Sequence, residues 1–188
     1  MSVTPEILQP IRSLNKFNLE STLMTNYVKV ALMGSGYAGK STLIKLLTDS
    51  SPKLEVNYQP TAGMSCGTIT IDGSTKASLI EMGGQSHFEF LWADFMKGSR
   101  MVVVVTESYP KAVLKTRQLL KKFKNQLHGM KVIAIANKQD LPGSMRPESV
   151  QDLLGVPTFG LVAIDPKQRL NGYKLIVDGL KELSNVAA

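Results

Sequence analysis

The stretch Gly34-Ser35-Gly36-Tyr37-Ala38-Gly39-Lys40-Ser41 decides the fold of this chain, because it matches the G-x-x-x-x-G-K-[ST] pattern of a phosphate-binding loop. An apolar strand candidate, residues 27–33, precedes it, and a helical run, residues 41–47, follows it. Such a loop wraps backbone N–H groups around a polyphosphate, and the N-terminus of the next helix faces the negative charge. We therefore expect a nucleotide site, with Lys40 reaching toward the terminal phosphates and the Ser41 hydroxyl ligating Mg²⁺.

Length and composition favour one folded domain behind a short N-terminal extension. The chain has 188 residues, of which 43% are hydrophobic and 20% charged, and these fractions are ordinary for a globular protein. No window holds the roughly 20 apolar residues that a membrane span requires. The single cysteine cannot form an intrachain disulfide, and the N-terminus carries no signal-peptide pattern, so we expect a cytoplasmic protein.

The net charge of +7 suits nucleic acid, an anionic membrane surface or bound nucleotide phosphates. The densest basic run, from Lys111 to Lys124, lies on a predicted helix whose other side is apolar, and we interpret it as a solvated helix face. No zinc-ligand cluster and no RNA-binding aromatic signature accompanies this run. The sequence therefore predicts no nucleic-acid partner.

Beyond the phosphate loop, strand and helix patterns alternate, which predicts βαβ units around a mainly parallel sheet. Asp72-Gly73-Ser74 joins two short strand candidates and is a strong hairpin signal. A helix that Ser108 and Pro110 open is expected to end near Gly129, and a final amphipathic helix closes the domain. The strand candidates in chain order are residues 27–33, 67–71, 77–81, 101–105, 132–136 and about 160–163.

The first 26 residues carry no strand pattern, but apolar residues at positions 7, 11, 14 and 17 recur at near-helical spacing. We predict an amphipathic helix that either packs on the domain or forms an arm touching a membrane or a partner. Ser2 follows Met1, so the N-myristoylation signal is absent. Peripheral membrane contact would therefore rest on the helix itself.

A second segment carries groups suited to a metal ion and a γ-phosphate, namely Glu81-Met82-Gly83-Gly84-Gln85 at the end of a predicted strand. We expect Glu81 to hold Mg²⁺ through a water, Gly84 to offer its N–H to the γ-phosphate, and Gln85 to orient the attacking water. Thr61 lies in a polar stretch after the first helix. Its hydroxyl and backbone are expected to reach the metal and the γ-phosphate.

Asn137-Lys138-Gln139-Asp140 follows a buried strand and indicates which base the site binds. The Asp140 carboxylate offers two acceptors for the N1–H and the exocyclic amine of guanine, which adenine does not present in that arrangement. Asn137 can brace the loop, and the Lys138 stem can lie along the ring face. The sequence thus predicts GTP and GDP rather than adenine nucleotides.

Residues 27 to about 185 resemble a small GTPase of the Ras superfamily, and in particular its ADP-ribosylation-factor (Arf) branch. Gly83-Gly84-Gln85, Leu91-Trp92, the run from Asn137 to Pro142 and Met145 carry this resemblance. It implies an α/β P-loop NTPase fold over residues 27–188, with a six-stranded sheet, helices on both faces and one antiparallel edge hairpin. It also implies that Thr61 lies in switch I, Gln85 in switch II, and the hairpin between them in an interswitch that can shift register.

The expected site residues are as follows. Gln85, Lys40 and Thr61 are the catalytic candidates, and Ser41, Thr61 and Glu81 are the candidates for holding the metal. The nucleotide is expected to contact Gly34, Gly36, Tyr37, Ala38, Gly39, Lys40, Ser41, Thr42, Gly84, Asn137, Lys138, Asp140 and Ala163.

Several residues depart from the Arf pattern. Glu81 stands where the family has aspartate, so its reach is longer, and Gly36 stands at another aspartate position and resembles the Ras pattern. The last guanine-contacting loop has no clean match, and Ala163 is the candidate for donating its N–H to the guanine oxygen. The three positions at which Arf-type proteins show aromatic residues to effectors are occupied here by Met64, Ile80 and Phe95, so that only Phe95 stays aromatic.

No arginine lies between Leu47 and Thr61, where a built-in arginine finger would sit. We therefore expect slow hydrolysis that depends on an activating protein, together with an exchange factor and effectors. The leading interpretation is a guanine-nucleotide switch acting in membrane traffic or another peripheral-membrane process. The alternatives are a constitutively GTP-bound structural or interaction module and, less compatible with Asn137 to Asp140, a P-loop kinase or ATPase.

Overall fold

The computed structural model describes residues 26–48, 64–84 and 89–185. Within these ranges, six strands form one sheet in the order β2-β3-β1-β4-β5-β6. The β2–β3 pair is antiparallel and every other neighbouring pair is parallel. The strands are β1 (Asn26–Met33), β2 (Met64–Thr70), β3 (Thr75–Met82), β4 (Met101–Glu107), β5 (Lys131–Asn137) and β6 (Thr158–Gly160). The predicted mainly parallel sheet with an antiparallel edge hairpin is confirmed.

Helices of the described part lie on both faces of the sheet. They are α1 (Lys40–Thr48), α2 (Glu89–Met96), α3 (Pro110–Lys122), the single turn α4 (Lys124–Leu127), α5 (Pro147–Leu154) and α6 (Arg169–Asn185), with a 3-10 turn at Pro166–Gln168 before α6. None of them is long and apolar enough to cross a bilayer.

Alternation along the buried strands divides the core into two layers. On β1, Val30 and Leu32 face a cluster with α1 and α6, whereas Ala31 and Met33 face a cluster with α2, α3 and α5. Successive side chains of a strand point to opposite faces, so a strand covered on both sides must be apolar at every position. The run of valines in β4, which is buried throughout, meets that requirement.

The hairpin between β2 and β3 closes through the side chain of Asp72. Its Oδ1 accepts hydrogen bonds from the backbone N–H groups of Ser74 and Thr75, both at 2.8 Å, and from the Ser74 hydroxyl at 3.1 Å. These bonds, above all the one from the Ser74 N–H, lower the pKa of the Asp72 carboxyl below its usual range. On the edge strand, Cys66 is exposed and lies opposite Ile80.

Two element boundaries differ from the sequence prediction. The helix expected to run to Gly129 is interrupted at Phe123, where the backbone leaves helical geometry and the buried ring packs against Trp92 with centroids 5.6 Å apart. The last strand ends at Gly160 rather than extending to Ala163. The chain turns away there because the Ala163 N–H bonds to the Asn137 side chain instead of a neighbouring strand.

Helix α5 was not predicted, although its signals are present. Pro147 occupies the first helical turn, and Gly155 ends the helix in the left-handed conformation with its N–H on the Gln151 carbonyl, at 2.8 Å. The predicted N-terminal helix of residues 1–26 falls almost wholly outside the described residues, so it stays a prediction.

Candidate nucleotide-binding site

The phosphate loop, residues 34–41, connects the end of β1 to the first turn of α1. Gly39 has a φ of +99°, and a Cβ built on it would lie 2.2 Å from Nδ2 of Asn137. Any L side chain is therefore excluded here by both backbone conformation and contact. Thr42 follows in the first turn of α1 and is partly exposed. The loop thus has the strand-to-helix setting that the motif requires.

Lys40 lies inside the phosphate loop and is only 5% exposed. Its Nζ donates hydrogen bonds to the carbonyl oxygens of Gly34 and Ser35, at 2.9 and 3.1 Å. Burial lowers the pKa of the Lys40 ammonium from its ordinary value, while the negative charge of Glu81 acts in the opposite direction. A buried ammonium whose charge is disfavoured by desolvation is stabilised by the negative charge of a polyphosphate, so Lys40 is well suited to that ligand.

Gly84 packs directly against the phosphate loop. Its carbonyl oxygen accepts a hydrogen bond from the Gly36 N–H, at 2.8 Å. A Cβ on Gly84 would lie 2.5 Å from the Gly34 oxygen, the Gly36 nitrogen and the Lys40 ammonium. The chain that follows β3 therefore reaches the groups expected to hold phosphate, and it does so through a glycine because a side chain would not fit.

Glu81 and Ser41 are the described candidates for a metal. Glu81 is the next-to-last residue of β3 and has 1% of its surface exposed, and its charge interacts with that of Lys40. A carboxylate and a hydroxyl are oxygen donors of the kind that Mg²⁺ prefers, so the residues present fit that ion. Among residues 26–48, 64–84 and 89–185, no cluster of three or more His, Cys, Asp or Glu side chains is arranged to hold a metal ion.

Two residues in the described ranges other than glycine have a positive φ, Tyr37 at 66° and Lys138 at 63°. Such backbone costs of order 1–3 kcal/mol each and is concentrated at functional sites. Both lie in predicted nucleotide-contacting segments on different loops. Tyr37 also leaves 59% of its side chain exposed beside the phosphate loop.

Asn137, at the end of β5, joins the phosphate loop to the loop after β6. Its Nδ2 donates to the Ala38 oxygen and its Oδ1 accepts from the Ala163 N–H, both at 2.9 Å. Asn137 is 3% exposed, so these bonds are shielded from water. Asn137 thus braces the phosphate loop and connects it to two other segments, although Ala38 lies 99 residues before Asn137 and Ala163 lies 26 residues after it.

The expected role of Ala163 meets a competing contact. Its N–H already bonds to Asn137, and the residue is buried. A guanine oxygen would therefore have to share the Ala163 N–H with Asn137 Oδ1, and the role of Ala163 stays a prediction.

The base loop, residues 137–145, is held by residues that the sequence reasoning did not single out as site residues. Ser108 is fully buried. Its hydroxyl donates to the backbone carbonyl oxygen of Asn137 and accepts from Gln139 Nε2, both at 2.6 Å. The Met145 N–H donates to the Ser108 oxygen at 2.7 Å. The sequence pattern marks Ser108 only as a helix start, because nothing in its neighbouring residues indicates a partner 29 positions away.

Glu107 is the second unpredicted residue. Its carboxylate forms an ion pair with the ammonium of Lys138, and both side chains are about one third exposed. Asp140, two residues after Lys138, is exposed at the surface of the base loop.

Thr61 and Gln85, the predicted switch residues, lie outside the described residues, so their roles stay predictions.

A sequence model of the ADP-ribosylation factor family matches residues 14–183 of this chain. The chain is also 30% identical, over 129 residues, to ADP-ribosylation factor-like protein 10 of Mus musculus. That alignment spans 68% of this chain and 52% of the mouse protein, so the chain covers about half the length of this relative. Because the family model accounts for most of the sequence, and the sheet has the expected six strands with one antiparallel pair, the chain belongs to the ADP-ribosylation factor family, a branch of the small GTPases.

Proposed function

We propose that this protein is a guanine-nucleotide switch that binds GTP with Mg²⁺ and hydrolyses it slowly to GDP. The observation that carries the proposal is the pair of bonds from Asn137 to Ala38 and Ala163. These bonds bring a polyphosphate cradle and an Asn-Lys-x-Asp loop into one site. A kinase or ATPase would need the cradle but has no use for a guanine-reading carboxylate at Asp140.

The described residues divide the work of binding. Lys40 gives two of its three N–H groups to loop carbonyls, and the third is the one that a terminal phosphate would take. Asp140 accepts from the N1–H and amine of guanine, and the Ala163 N–H donates to the guanine oxygen. Ser41 and Glu81 would hold Mg²⁺, which neutralises part of the phosphate charge when bound.

Turnover then requires the two switch residues. Gln85 orients a water toward the γ-phosphorus, and Thr61 senses the γ-phosphate through its backbone and hydroxyl. Lys40 and the loop N–H groups stabilise charge on the transferring group. With no arginine between Leu47 and Thr61, hydrolysis is slow until an activating protein supplies the missing charge.

The deciding experiment is single-turnover hydrolysis of bound GTP by the wild type and Gln85→Leu, beside GDP and GTP affinities. Slow hydrolysis that Gln85→Leu abolishes supports the switch. Tight GTP binding without turnover in either protein, even with candidate activators, would instead support a constitutively GTP-bound interaction module. The buried Glu81, in place of the family's aspartate, is the observation that favours this second candidate.

We further propose that the protein is cytoplasmic and reaches membranes through residues 1–26, in a process such as membrane traffic. Exchange factors, activating proteins and effectors are the expected partners, and Met64, 67% exposed on β2, lies on the surface offered to them. Flotation with liposomes, comparing the full chain with a chain starting at residue 27 in both nucleotide states, tests the membrane arm. Equal recovery of the two proteins would contradict it.

A further inference from the structure

The junction between β4 and α3, residues 107–109, contacts the base loop at every position. Ser108 binds both ends of the loop, through Asn137 and Met145. Glu107 pairs with Lys138, and the Tyr109 hydroxyl donates to the Pro142 oxygen at 3.2 Å. Three consecutive residues thus support the base loop, which carries the predicted guanine contacts.

Ser108 reaches the guanine-reading carboxylate through one intermediate. Gln139, which precedes Asp140, has its amide fixed by Ser108 Oγ at 2.6 Å and by the Met145 oxygen at 3.1 Å. Asp140 itself is exposed, so the direction of its carboxylate depends on how firmly the loop backbone is held. A buried hydroxyl that both donates and accepts is a stronger anchor than either bond alone, because the two bonds polarise each other.

Glu107 acts on a different part of the site. Lys138 has a strained backbone, and the ion pair draws its ammonium toward β4, which sets the course of its aliphatic stem. A stem that lies along a ring face contributes to binding any purine of that shape. It does not read the hydrogen-bonding edge of the base.

We propose that Ser108 and Glu107 are positioning residues for base recognition, Ser108 acting through Asp140 on the guanine edge and Glu107 acting through Lys138 on the ring face. This inference rests on the proposed guanine-nucleotide site. The two residues have distinguishable signatures: loss of Ser108 Oγ weakens discrimination between bases, and loss of the Glu107 charge weakens binding without changing discrimination.

The test compares GDP with IDP, which lacks the 2-amino group that Asp140 would accept from. In Ser108→Ala, the ratio of the IDP to the GDP dissociation constant is expected to fall about fivefold or more from the wild-type value. In Glu107→Gln, both constants should rise together by about threefold or more, with their ratio unchanged.

Matched controls come from elsewhere in the fold. Ser99→Ala removes another buried hydroxyl, and Glu89→Gln removes the partner of Lys122 in an ion pair on α2 and α3. Neither should change the constants or their ratio. If Ser108→Ala does not fold, Gln139→Met, which removes the same hydrogen bond from its other end at a half-buried position, is expected to lower the ratio likewise.

The outcomes separate the inference from the function on which it rests. A wild type that does not bind GDP would overturn the proposed function. A wild type that prefers GDP to IDP, with the same preference retained in Ser108→Ala or Gln139→Met, would overturn the role of Ser108. Unchanged GDP and IDP constants in Glu107→Gln, or a changed ratio, would overturn that of Glu107.

Discussion

The phosphate end and the base end of the candidate site are held by different kinds of chemical group. At the phosphate end, main-chain groups and one lysine make the contacts, and the donors bind the protein's own carbonyls: Gly36 binds Gly84, and Lys40 binds Gly34 and Ser35. At the base end, hydrogen bonds of the Ser108, Asn137 and Gln139 side chains hold the base loop in place. The base-reading Asp140 is left exposed.

This difference indicates where nucleotide binding must rearrange the protein. A phosphate that takes the Gly36 N–H displaces the Gly84 oxygen, so one hydrogen bond is exchanged for another and the chain after β3 must respond. The base loop requires no such exchange among its described contacts. We therefore expect the phosphate end to sense the state of the nucleotide and the base end to supply constant affinity.

Gly39→Ala tests the point at which the two ends meet, and it should have the largest effect. The new Cβ would collide with Asn137 in a backbone conformation that alanine rarely adopts. We expect the free energy of unfolding to fall by about 3 kcal/mol and GDP binding to be lost. Denaturant unfolding and GDP titration measure both. Gly73→Ala, with open space around its Cβ position, should change neither.

Asn137→Ala would remove the hydrogen bonds that connect the phosphate end to the base end, without introducing a steric clash. It leaves the Ala38 oxygen and the Ala163 N–H without their partner in a buried place, which costs about 2–4 kcal/mol of unfolding free energy. The matched control is Asn171→Ala, because its amide bonds to Gln168 on an exposed surface. Equal stability of the two variants would show that the ends are not coupled through Asn137.

Asp140→Asn should affect the base end alone. The amide replaces one acceptor by a donor, so GDP affinity is expected to fall about 10- to 100-fold while the xanthine nucleotide binds better. Thermal stability without nucleotide should stay at the wild-type value, since Asp140 is exposed. An unchanged order of preference between the two bases would contradict the assignment of Asp140.

The phosphate end should respond to pH through Lys40. Its pKa is lowered from 10.5 by burial, so between the lowered value and 10.5 the unfolded chain holds more protons than the nucleotide-free folded protein. The free energy of unfolding should therefore increase with pH across that window. A bound terminal phosphate raises the pKa again, so GDP affinity should decrease across the same window.

The control for this titration is GMP, whose single phosphate does not extend to Lys40 but whose base titrates like that of GDP. A decrease in GDP affinity that GMP shows equally would assign the effect to the base rather than to the lysine. The comparison therefore tests the phosphate end by itself.

Asp72→Ala, remote from both ends, should have the smallest effect. It removes the hairpin bonds to Ser74 and Thr75, so the thermal midpoint should fall slightly while GDP affinity stays constant. Because the pKa of Asp72 is depressed, its contribution is present above the unfolded pKa and is lost as pH falls through the folded value. A large change in GDP affinity would show that the hairpin is coupled to the site.

Local patterns were sufficient to predict five of the six strands. Short apolar runs indicated the interiors of β1 to β5, and the Asp72 turn was indicated by its own sequence. The last strand was placed too late, because its end depends on a bond between Ala163 and a side chain from β5. The break at Phe123 likewise follows from packing against Trp92, which no local pattern reveals.

The candidate site also has a part that local motifs predicted and a part that only the fold reveals. Motifs with fixed spacing identified the phosphate loop and the Asn-Lys-x-Asp loop, because their chemistry requires given residue types in order. Ser108 and Glu107 belong to no such motif, and their partners are about 30 residues away in the sequence. Only the pairing of β4 with β5, which sets Glu107 opposite Asn137, brings them to the base loop.

The exposed thiol of Cys66 has a practical consequence. It is the single cysteine of the chain, and it lies on the edge strand of the hairpin between the two predicted switch segments. A maleimide fluorophore or spin label would therefore attach at one defined position without mutagenesis. Its signal, followed while GDP is replaced by GTP, would report directly on whether this hairpin moves.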